Sequence, residues 1–431
     1  MLIYTYNIEQ YSILNLKYST TSERKQMMAV IYTISRDKLL SKREIPKFNH
    51  REFEQRVTRA RRLMTGERLD GLLVTSEANM EYLSGFTTQF AWNTPTRPWY
   101  FLLPRSGTAV GVIPEIGITN WKATSWVDNI LTWPSPRPEN EGLDLIAYAI
   151  GRIKRKYGRI GFELGAESRL GMPAGDLLRL KRKIRPFDMV DGFGIIRELR
   201  MIKSPAEVSR IRRICRIVAD AFDALPGYIQ PGDTEKDVVR KFQADILLRG
   251  ADKTPFTSIG SGKSGYESII MGPTNRKLKK GDLFLIDTGA RYDGYFCDFD
   301  RNFAIGSPPK EARRIHDILY RATNAGIKAA RPGNTAADVF QAQAKVLINS
   351  GIQLGNVGRF GHGLGKVMTE PPSISPEDKT KLVPGMVLTV EPSAMYGPNK
   401  ILVHEENLVI TENGARLLSR RAPQEIPVIN L

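Results

Sequence analysis

Four carboxylates and one histidine in the last third of the chain form a possible ligand set for divalent cations. In chain order they are Asp287, Asp298, His362, Glu391 and Glu405. Carboxylate oxygens with one imidazole nitrogen make a hard-to-borderline donor set, which suits Mn, Co, Fe or Zn. Two such ions about 3.5–4 Å apart can hold a water between them and stabilise the attacking and leaving oxygens of a hydrolysis. The residue types therefore predict a metal-dependent hydrolase.

Three of these acids follow apolar runs that predict strands. Residues 283–286 predict a strand that ends at Asp287, and Gly289 would let the backbone turn immediately afterwards. Glu391 and Glu405 each follow another run rich in β-branched residues. A buried carboxylate at such a position is costly unless it is paired or bound to a metal. The positions of the three acids therefore favour a shared binding role.

The second aspartate lies in a strand-like segment, residues 295–303. Side chains alternate along a strand, so Asp298 and Asp300 share one face while Phe299 takes the other. An ion pair with Arg301 is the alternative role for either aspartate, and for Asp300 the two interpretations stay even. His362, one of four histidines, lies between glycines that leave its imidazole uncrowded, which suits a metal ligand.

Length and composition limit the class of protein. At 431 residues the chain exceeds the range in which one core usually keeps growing, so two domains are expected. We place them at residues 46–192 and 193–431, after a poorly ordered leader at residues 1–45 that lacks the pattern of a signal peptide. The chain contains no run of about 18 apolar residues, so the sequence predicts no membrane-spanning helix. Two cysteines far apart in sequence predict no disulfide framework and favour a cytoplasmic location.

The formal net charge of +17 raises the question of nucleic-acid binding. Basic clusters at residues 152–156 and 181–185 would provide an electrostatic surface for it. The same clusters are typical of the solvated C-terminal ends of amphipathic helices, where cations are favourable. Because no zinc finger, RNP motif or basic zipper accompanies them, we favour the second interpretation and expect no specific nucleic acid partner.

The first domain alternates predicted strands and helices. Strands are expected at residues 70–75, 99–103, 109–113, 160–163 and 187–190, with helices near 143–156 and 173–183. This alternation predicts an α/β domain with a substantially parallel sheet.

The second domain begins with a well-marked helix. Ser204 is the expected N-cap, Pro205 takes the first helical position and Glu207 closes a capping box. The next helix is expected to bury an apolar stripe of Val239, Phe242, Ile246 and Leu247. Further on, strands are predicted at residues 283–287, 295–303, 386–391, 401–405 and 408–411, with helices near 308–330 and 335–350. Strands with helices grouped around them in this way predict an α+β domain.

The ligand order and its flanking motifs resemble the pita-bread metallopeptidases: methionine aminopeptidases, Xaa-Pro aminopeptidases and prolidases, with creatinase as a relative. Residues 198–207 (ELRMIKSPAE), residues 281–289 (GDLFLIDTG) and the Gly-His-Gly turn at His362 carry the resemblance. It spans about residues 195–420 and, more loosely, about residues 50–190.

The resemblance implies a creatinase-like α/β N-terminal domain followed by an α+β pita-bread catalytic domain. It implies two divalent ions per chain, manganese among the candidates, with Asp287 on one ion, Asp298 and Glu405 bridging, and His362 and Glu391 on the second. Glu391 would carry a proton from water to the leaving nitrogen. The implied function is Xaa-Pro dipeptidase-like or aminopeptidase-like cleavage of a C–N bond in a short peptide or small molecule, by a homodimer.

Three positions depart from that family pattern. Met271 and Thr369 stand where the peptidases have substrate-side histidines, and Asp300 stands where they have a threonine. A thioether donates no hydrogen bond, and a hydroxyl is a weaker donor than an imidazolium. The departures leave open a relative that acts on a non-peptide small molecule, as creatinase, ectoine hydrolases and dimethylsulfoniopropionate lyases do. A metal-free binding protein and a lyase are the alternatives from other classes.

Four residues are candidates for substrate contact. Trp92 would stack on a cationic group, or it would only line the edge of the N-terminal core. Asp300 and Thr369 take positions next to the predicted ligands. His404 is a possible replacement for a missing donor, although strand alternation places it on the opposite face from Glu405.

Overall fold

The computed structural model describes residues 45–88, 97–355 and 358–430. The leader expected at residues 1–45 lies outside these ranges apart from Ile45, and so does Trp92. The helices are α1 His50–Gly66, α2 Glu77–Ser84, α3 Ile118–Thr124, α4 Leu143–Gly151, α5 Ala174–Lys183, α6 Phe193–Met201, α7 Pro205–Ala224, α8 Glu235–Leu248, α9 Lys310–Ala329 and α10 Ala336–Asn349. Among the described residues, no helix is long and apolar enough to cross a membrane.

The strands are β1 Gly71–Val74, β2 Tyr100–Pro104, β3 Val110–Pro114, β4 Ile130–Trp133, β5 Arg159–Phe162, β6 Asp188–Asp191, β7 Lys253–Lys263, β8 Asp282–Tyr292, β9 Tyr295–Phe296, β10 Phe299–Ile305, β11 His362–Gly363, β12 Glu370–Ser373, β13 Val387–Val390, β14 Ser393–Gly397, β15 Lys400–Val403, β16 Glu406–Thr411, β17 Gly414–Leu417 and β18 Val428–Ile429.

A six-stranded sheet in the order β4-β3-β2-β1-β5-β6 organises the first half of the chain. The expected α/β class is confirmed, but the sheet is mixed rather than substantially parallel. It is antiparallel at its centre, where β2 pairs with β1 and β3, and parallel at both ends. The connection from β2 to β3 is a short reversal, and a parallel pair would need a crossover of about a dozen residues.

Two five-stranded sheets and a two-stranded ribbon organise the second half. One sheet follows β18-β10-β8-β7 with β9 paired to β8, the other follows β12-β11-β13-β16-β17, and β14 pairs with β15. The pairs within these sheets are antiparallel except for β10 with β18. Helices α7 to α10 pack against these strands in two hydrophobic clusters, so the expected α+β class is confirmed.

Strand β8 divides the two clusters by alternation of its side chains. Phe284 and Ile286 pack with α7 and α8, whereas Leu283 and Leu285 pack with α9 and α10. Asp287 continues the face of Leu283 and Leu285 because side chains on one face recur every second residue.

The end of β8 differs from the expectation. The strand does not stop at Asp287: it continues to Tyr292, and Gly289 pairs with Phe256 of β7. The predicted turn at Gly289 is therefore wrong. A Cβ at Gly289 would lie 2.5 Å from the sulfur of Met368, so this glycine permits close side-chain packing instead.

The predicted start of α7 is confirmed in detail. The Ser204 hydroxyl accepts from the Glu207 N–H at 3.2 Å, and the Glu207 carboxylate accepts from the Ser204 N–H at 2.9 Å. In α8, Val239, Phe242 and Ile246 are buried as expected. Leu247 is 45% exposed, so the prediction for this residue is wrong; at that end of the helix the buried residues are Asp245 and Ile246.

A buried ion-pair cluster joins α6 to the segment that follows β11. The Glu370 carboxylate on β12 pairs with Arg200 of α6 and, at 3.0 Å, with the Nζ of Lys203. Burial raises the pKa of Glu370, but the charges of Arg200 and then Lys203 outweigh it and lower the pKa to about 2. These ion pairs hold α6, at the start of the second half, against strand β12.

We predict that Glu370→Ala strongly destabilises the protein. The change leaves two buried cations without their anion, and breaking one side of a buried pair costs about 3–5 kcal/mol. Urea unfolding followed by circular dichroism measures the loss. Glu311→Ala, which removes an exposed pair with Arg314 on α9, is the control and should unfold like the parent protein.

The pH dependence of the same cluster has a definite sign. Because the folded pKa of Glu370 lies below its ordinary value of 4.5, its contribution is complete above about pH 4.5 and is lost as the pH falls toward 2. The parent protein and Glu370→Ala should therefore converge in stability over that interval. A constant difference between them from pH 6 to pH 3 would contradict the assignment.

Candidate metal centre

The predicted donors reach one site from several strands. Asp287 lies within β8, Asp298 precedes β10, His362 begins β11, Glu391 follows β13, and Glu405 lies between β15 and β16. Ligand atoms of Asp298, His362 and Glu405 all lie within 4.8 Å of one another. The Nε2 of His362 is 3.5 Å from Asp298 Oδ2 and 3.3 Å from Glu391 Oε1. Asp287 joins this group electrostatically, since its charge raises the pKa of both Asp298 and Glu405.

The imidazole of His362 is oriented as a ligand. Its Nδ1 lies 2.9 Å from the carbonyl oxygen of Gly363, which can only accept, so the proton is on Nδ1. Burial lowers the pKa of His362 and keeps the ring neutral. The lone pair of Nε2 therefore faces oxygens of Asp298 and Glu391, and a cation among these atoms would be a favourable partner for all three.

Several buried oxygens at the site lack any protein partner. Asp287 Oδ1, Asp300 Oδ2 and Glu405 Oε1 accept no hydrogen bond within the described chain. A buried carboxylate oxygen left without a partner is costly. Divalent cations prefer such oxygens, so the residues present fit the metal centre that the sequence predicts.

The acids oppose each other's ionisation. The pKa of Asp298 is raised by burial and then by the charges of Asp287 and Glu391. The pKa of Glu405 is raised by burial and then by Asp298. Like charges at this distance cannot all ionise in a buried site without compensating positive charge. The electrostatics therefore point to cations rather than to a structural role for the acids.

Asp300 belongs to the same group of acids. It pairs directly with Asp287 across β8 and β10, so both side chains lie on one face of the sheet. Its Oδ1 accepts from the Glu405 N–H at 2.9 Å. Burial raises the pKa of Asp300 to about 7 although the Arg301 charge lowers it. Arg301 itself donates to backbone carbonyls and to Glu406, so the side-chain ion pair with Asp298 or Asp300 does not form.

Asn407 holds Asp298 in place, a role that sequence reasoning missed. The Asp298 N–H donates to Asn407 Oδ1 at 3.0 Å, and the Asn407 amide donates back to the Asp298 carbonyl. These two side-chain hydrogen bonds take the place of backbone pairing at Asp298, which lies between β9 and β10. The available signal was an amide inside the apolar run of β16, where a buried polar side chain requires a partner.

The segment after His362 is fixed by buried charges. The Nζ of Lys366 donates to Glu81 of α2 at 2.5 Å, and Glu81 also pairs with Arg291 of β8. Burial lowers the pKa of Lys366, and the Glu81 charge opposes that shift. No periodic pattern predicts this contact, because Glu81 and Lys366 are separated by most of the chain.

The predicted substrate residues fall in different places. Thr369 is exposed, and Met271 is 44% exposed. His404 is buried away from the acids: its ring contacts Thr323 and Tyr320 of α9 and the guanidinium of Arg421. These contacts follow the alternation that places His404 opposite Glu405.

A cavity of about 880 Å³ lies beside the C-terminal end of β8. Its walls include Glu81, Trp99, Asp252 and Arg291, and none of the predicted donors lines it.

Comparison with known proteins gives matches over both halves of the chain. The profile of Metallopeptidase family M24 matches residues 209–413, and that of the Creatinase/Prolidase N-terminal domain matches residues 56–202. An Xaa-Pro dipeptidase from Pyrococcus horikoshii is 30% identical over 371 residues, which cover 85% of this chain and 97% of the relative.

Solved structures agree with these matches. The dipeptidase PepE from Mycobacterium ulcerans superposes with a TM-score of 0.77 at 28% identity, covering 90% of this chain and 100% of that one. The prolidase from Pyrococcus horikoshii superposes with a TM-score of 0.74 at 26% identity, covering 86% and 100%. The expected pita-bread architecture after a creatinase-like N-terminal domain is confirmed.

We predict that divalent cations stabilise the protein through the acidic site. A ligand at about 1,000 times its dissociation constant adds about 4 kcal/mol to the folded state. Protein stripped with a chelator should therefore melt at a lower temperature than protein supplied with Mn²⁺ or Zn²⁺, as measured by calorimetry. Elemental analysis of the same samples should give about two ions per chain.

Asp298→Ala and Glu405→Ala test where the ions bind. Both variants should lose bound metal and the thermal response to it. Asp245→Asn, which changes a buried acid on α8 outside this site, should respond like the parent protein. An undiminished metal response in the first two variants would place the cations elsewhere.

Proposed function

This chain belongs to metallopeptidase family M24 and is a metal-dependent hydrolase, and we propose that it is an Xaa-Pro dipeptidase-like enzyme acting on short peptides. The observation that carries the proposal is that the five donors lie on or beside neighbouring strands, around buried carboxylate oxygens that accept no hydrogen bond from the described residues. The substrate class comes from the Pyrococcus horikoshii relative, which matches this chain over nearly its whole length.

We propose that five side chains hold the metal centre: Asp287, Asp298, His362, Glu391 and Glu405. When bound, two divalent cations, with manganese among the candidates, lower the pKa of a water toward neutrality and polarise the scissile carbonyl. The protein's own part is to fix the donors and keep the His362 ring neutral. Thr389 contributes to the positioning, since its hydroxyl accepts from the backbone N–H of His362 at 3.0 Å and donates to Glu391 Oε1 at 2.9 Å.

Glu391 is the best-placed proton carrier among these residues. Its side chain is 23% exposed, whereas those of Asp298 and His362 are 8% and 5% exposed. A group that exchanges protons with water and substrate has to be accessible to both. In the proposed hydrolysis the carboxylate takes a proton from the attacking water and gives it to the leaving nitrogen, while the C–N bond breaks and the water oxygen enters the new carboxylate.

The oligomeric state and the cellular location are also proposals. We propose a homodimer, as the family resemblance implies, in a reducing cytoplasm. Cys215 and Cys297 are buried and free, which suits such a compartment.

A second candidate function rests on the two departures near the site. Met271 and Thr369 provide no imidazole, and the structure leaves both side chains exposed. His404, the one replacement considered from sequence, faces α9. Weak stabilisation of an oxyanion favours the alternative in which the enzyme acts on a non-peptide small molecule, with creatinase, ectoine hydrolase or dimethylsulfoniopropionate lyase chemistry as the candidates.

We predict that Glu391→Gln lowers kcat by about 10²–10⁴-fold, because the amide cannot carry the proton. The amide oxygen can still face the His362 Nε2, so metal content should fall less than in Asp298→Ala. Steady-state kinetics and elemental analysis of the same preparation give both values. Glu412→Gln, an exposed glutamate after β16, is the control and should retain full activity. Normal turnover by Glu391→Gln would exclude the proton-carrier role.

We predict that a metal-supplemented screen identifies Xaa-Pro dipeptides as substrates. The comparison set is creatine, ectoine and a sulfonium compound, each with Mn²⁺, Co²⁺ or Zn²⁺. Reaction in ¹⁸O-labelled water separates the mechanisms, since only a hydrolase places solvent oxygen in the product. Turnover of a comparison compound without turnover of any dipeptide would replace the first proposal by the second.

A further inference from the structure

Asp300 is the one buried acid at the site that the five-residue ligand set does not use. It is 2% exposed, and its Oδ2 accepts no hydrogen bond within the described chain. Its cross-strand partner is Asp287, whose Oδ1 is also without a partner. Directly opposed residues place their Cβ atoms about 4.5–5.5 Å apart on one face. Two unpartnered carboxylate oxygens are thus held side by side.

The nearby polar groups already have other partners. The Arg301 guanidinium donates to the carbonyls of Asp300, Glu405 and Arg420 and to the Glu406 carboxylate. The hydroxyl of Tyr266 donates to Asn302 at 2.6 Å. From the described residues the Asp300 carboxylate accepts one hydrogen bond, from the Glu405 N–H to its Oδ1, which orients Oδ2 without neutralising it. A structural ion pair therefore does not explain Asp300.

The donors around His362 differ from those where β8 pairs with β10. Around Nε2 of His362 stand Asp298 Oδ2 and Glu391 Oε1, which make a mixed nitrogen and oxygen environment. At the paired strands, Asp287 and Asp300 contribute oxygen only. Imidazole suits zinc and similar ions, whereas carboxylates suit harder cations such as Mn²⁺.

We propose that Asp300 is a sixth protein ligand of the centre, and that with Asp287 it forms an all-oxygen end that selects a hard divalent cation such as Mn²⁺ over Zn²⁺. This inference rests on the metal centre of the proposed function but not on its substrate. It assigns to Asp300 a metal contact in place of the substrate contact considered from sequence.

Metal binding to the stripped protein tests this role without reference to activity. Isothermal titration with Mn²⁺ and with Zn²⁺, supported by the loss of the free Mn²⁺ electron-paramagnetic-resonance signal, measures each affinity. In Asp300→Asn one Mn²⁺ per chain should bind at least about tenfold more weakly, the second should be unaffected, and Zn²⁺ affinity should change less.

Thermal stability gives a second reading that a purely structural residue would not produce. Without metal, Asp300→Asn should melt at or above the parent temperature, because one of several mutually repelling charges has gone. With Mn²⁺ it should melt below the parent, because one contact to the ion is lost. Asp300→Thr, the residue type expected at this position in the family pattern, should behave in the same way.

The control is Asp245→Asn, which changes another buried aspartate with an unpartnered oxygen on α8. It should leave both titrations unchanged. Equal Mn²⁺ affinity in the parent and both Asp300 variants would overturn this inference and leave the proposed function intact. A parent chain that binds no metal would overturn both.

Discussion

The structure depends on compensation of charge within a cluster of buried and partly buried acids. Asp287, Asp298, Asp300, Glu391 and Glu405 converge with a single neutral imidazole, and burial and mutual repulsion raise the pKa of most of them. Without cations some of these groups must keep their protons or leave oxygens without partners. With cations the same arrangement becomes favourable. Bringing these acids together is therefore electrostatically unfavourable. Bound cations would relieve that repulsion, and the relief would contribute to the free energy of metal binding.

The rest of the second half can be understood as a support for that cluster. Strand β8 separates two hydrophobic clusters by alternation, which fixes the face on which Asp287 lies. Asn407 accepts a hydrogen bond from the backbone of Asp298, and the Thr389 hydroxyl is hydrogen-bonded to both His362 and Glu391. Buried charges from α2 and α6 hold the segment after His362 through Lys366 and Glu370. Rigid neighbours of this kind keep donors in a fixed geometry before any ligand arrives.

The departures from the family pattern concern substrate-side groups rather than metal-side groups. Asp298, His362 and Glu405 have ligand atoms within 4.8 Å of one another, whereas Met271 and Thr369 provide no imidazole at the positions where the resemblance implies histidines, and Asp300 adds a carboxylate. A more anionic site with fewer neutral or cationic donors binds metal ions well and stabilises an oxyanion less well. Membership of a hydrolase family and the identity of the substrate are consequently separate questions for this chain.

The sequence by itself determined the class of fold, the family and the set of candidate ligands, because alternation, helix caps and glycine-flanked polar residues are local signals. It predicted the capping box of α7 and the opposite orientations of Asp298 and Phe299 for that reason. It did not determine that β8 continues past Asp287, that the first sheet is antiparallel at its centre, or that Leu247 is exposed. Nor did it place Asp300 beside Asp287 or pair Lys366 with Glu81. Those features depend on contacts between residues far apart in the chain, which only the tertiary structure decides.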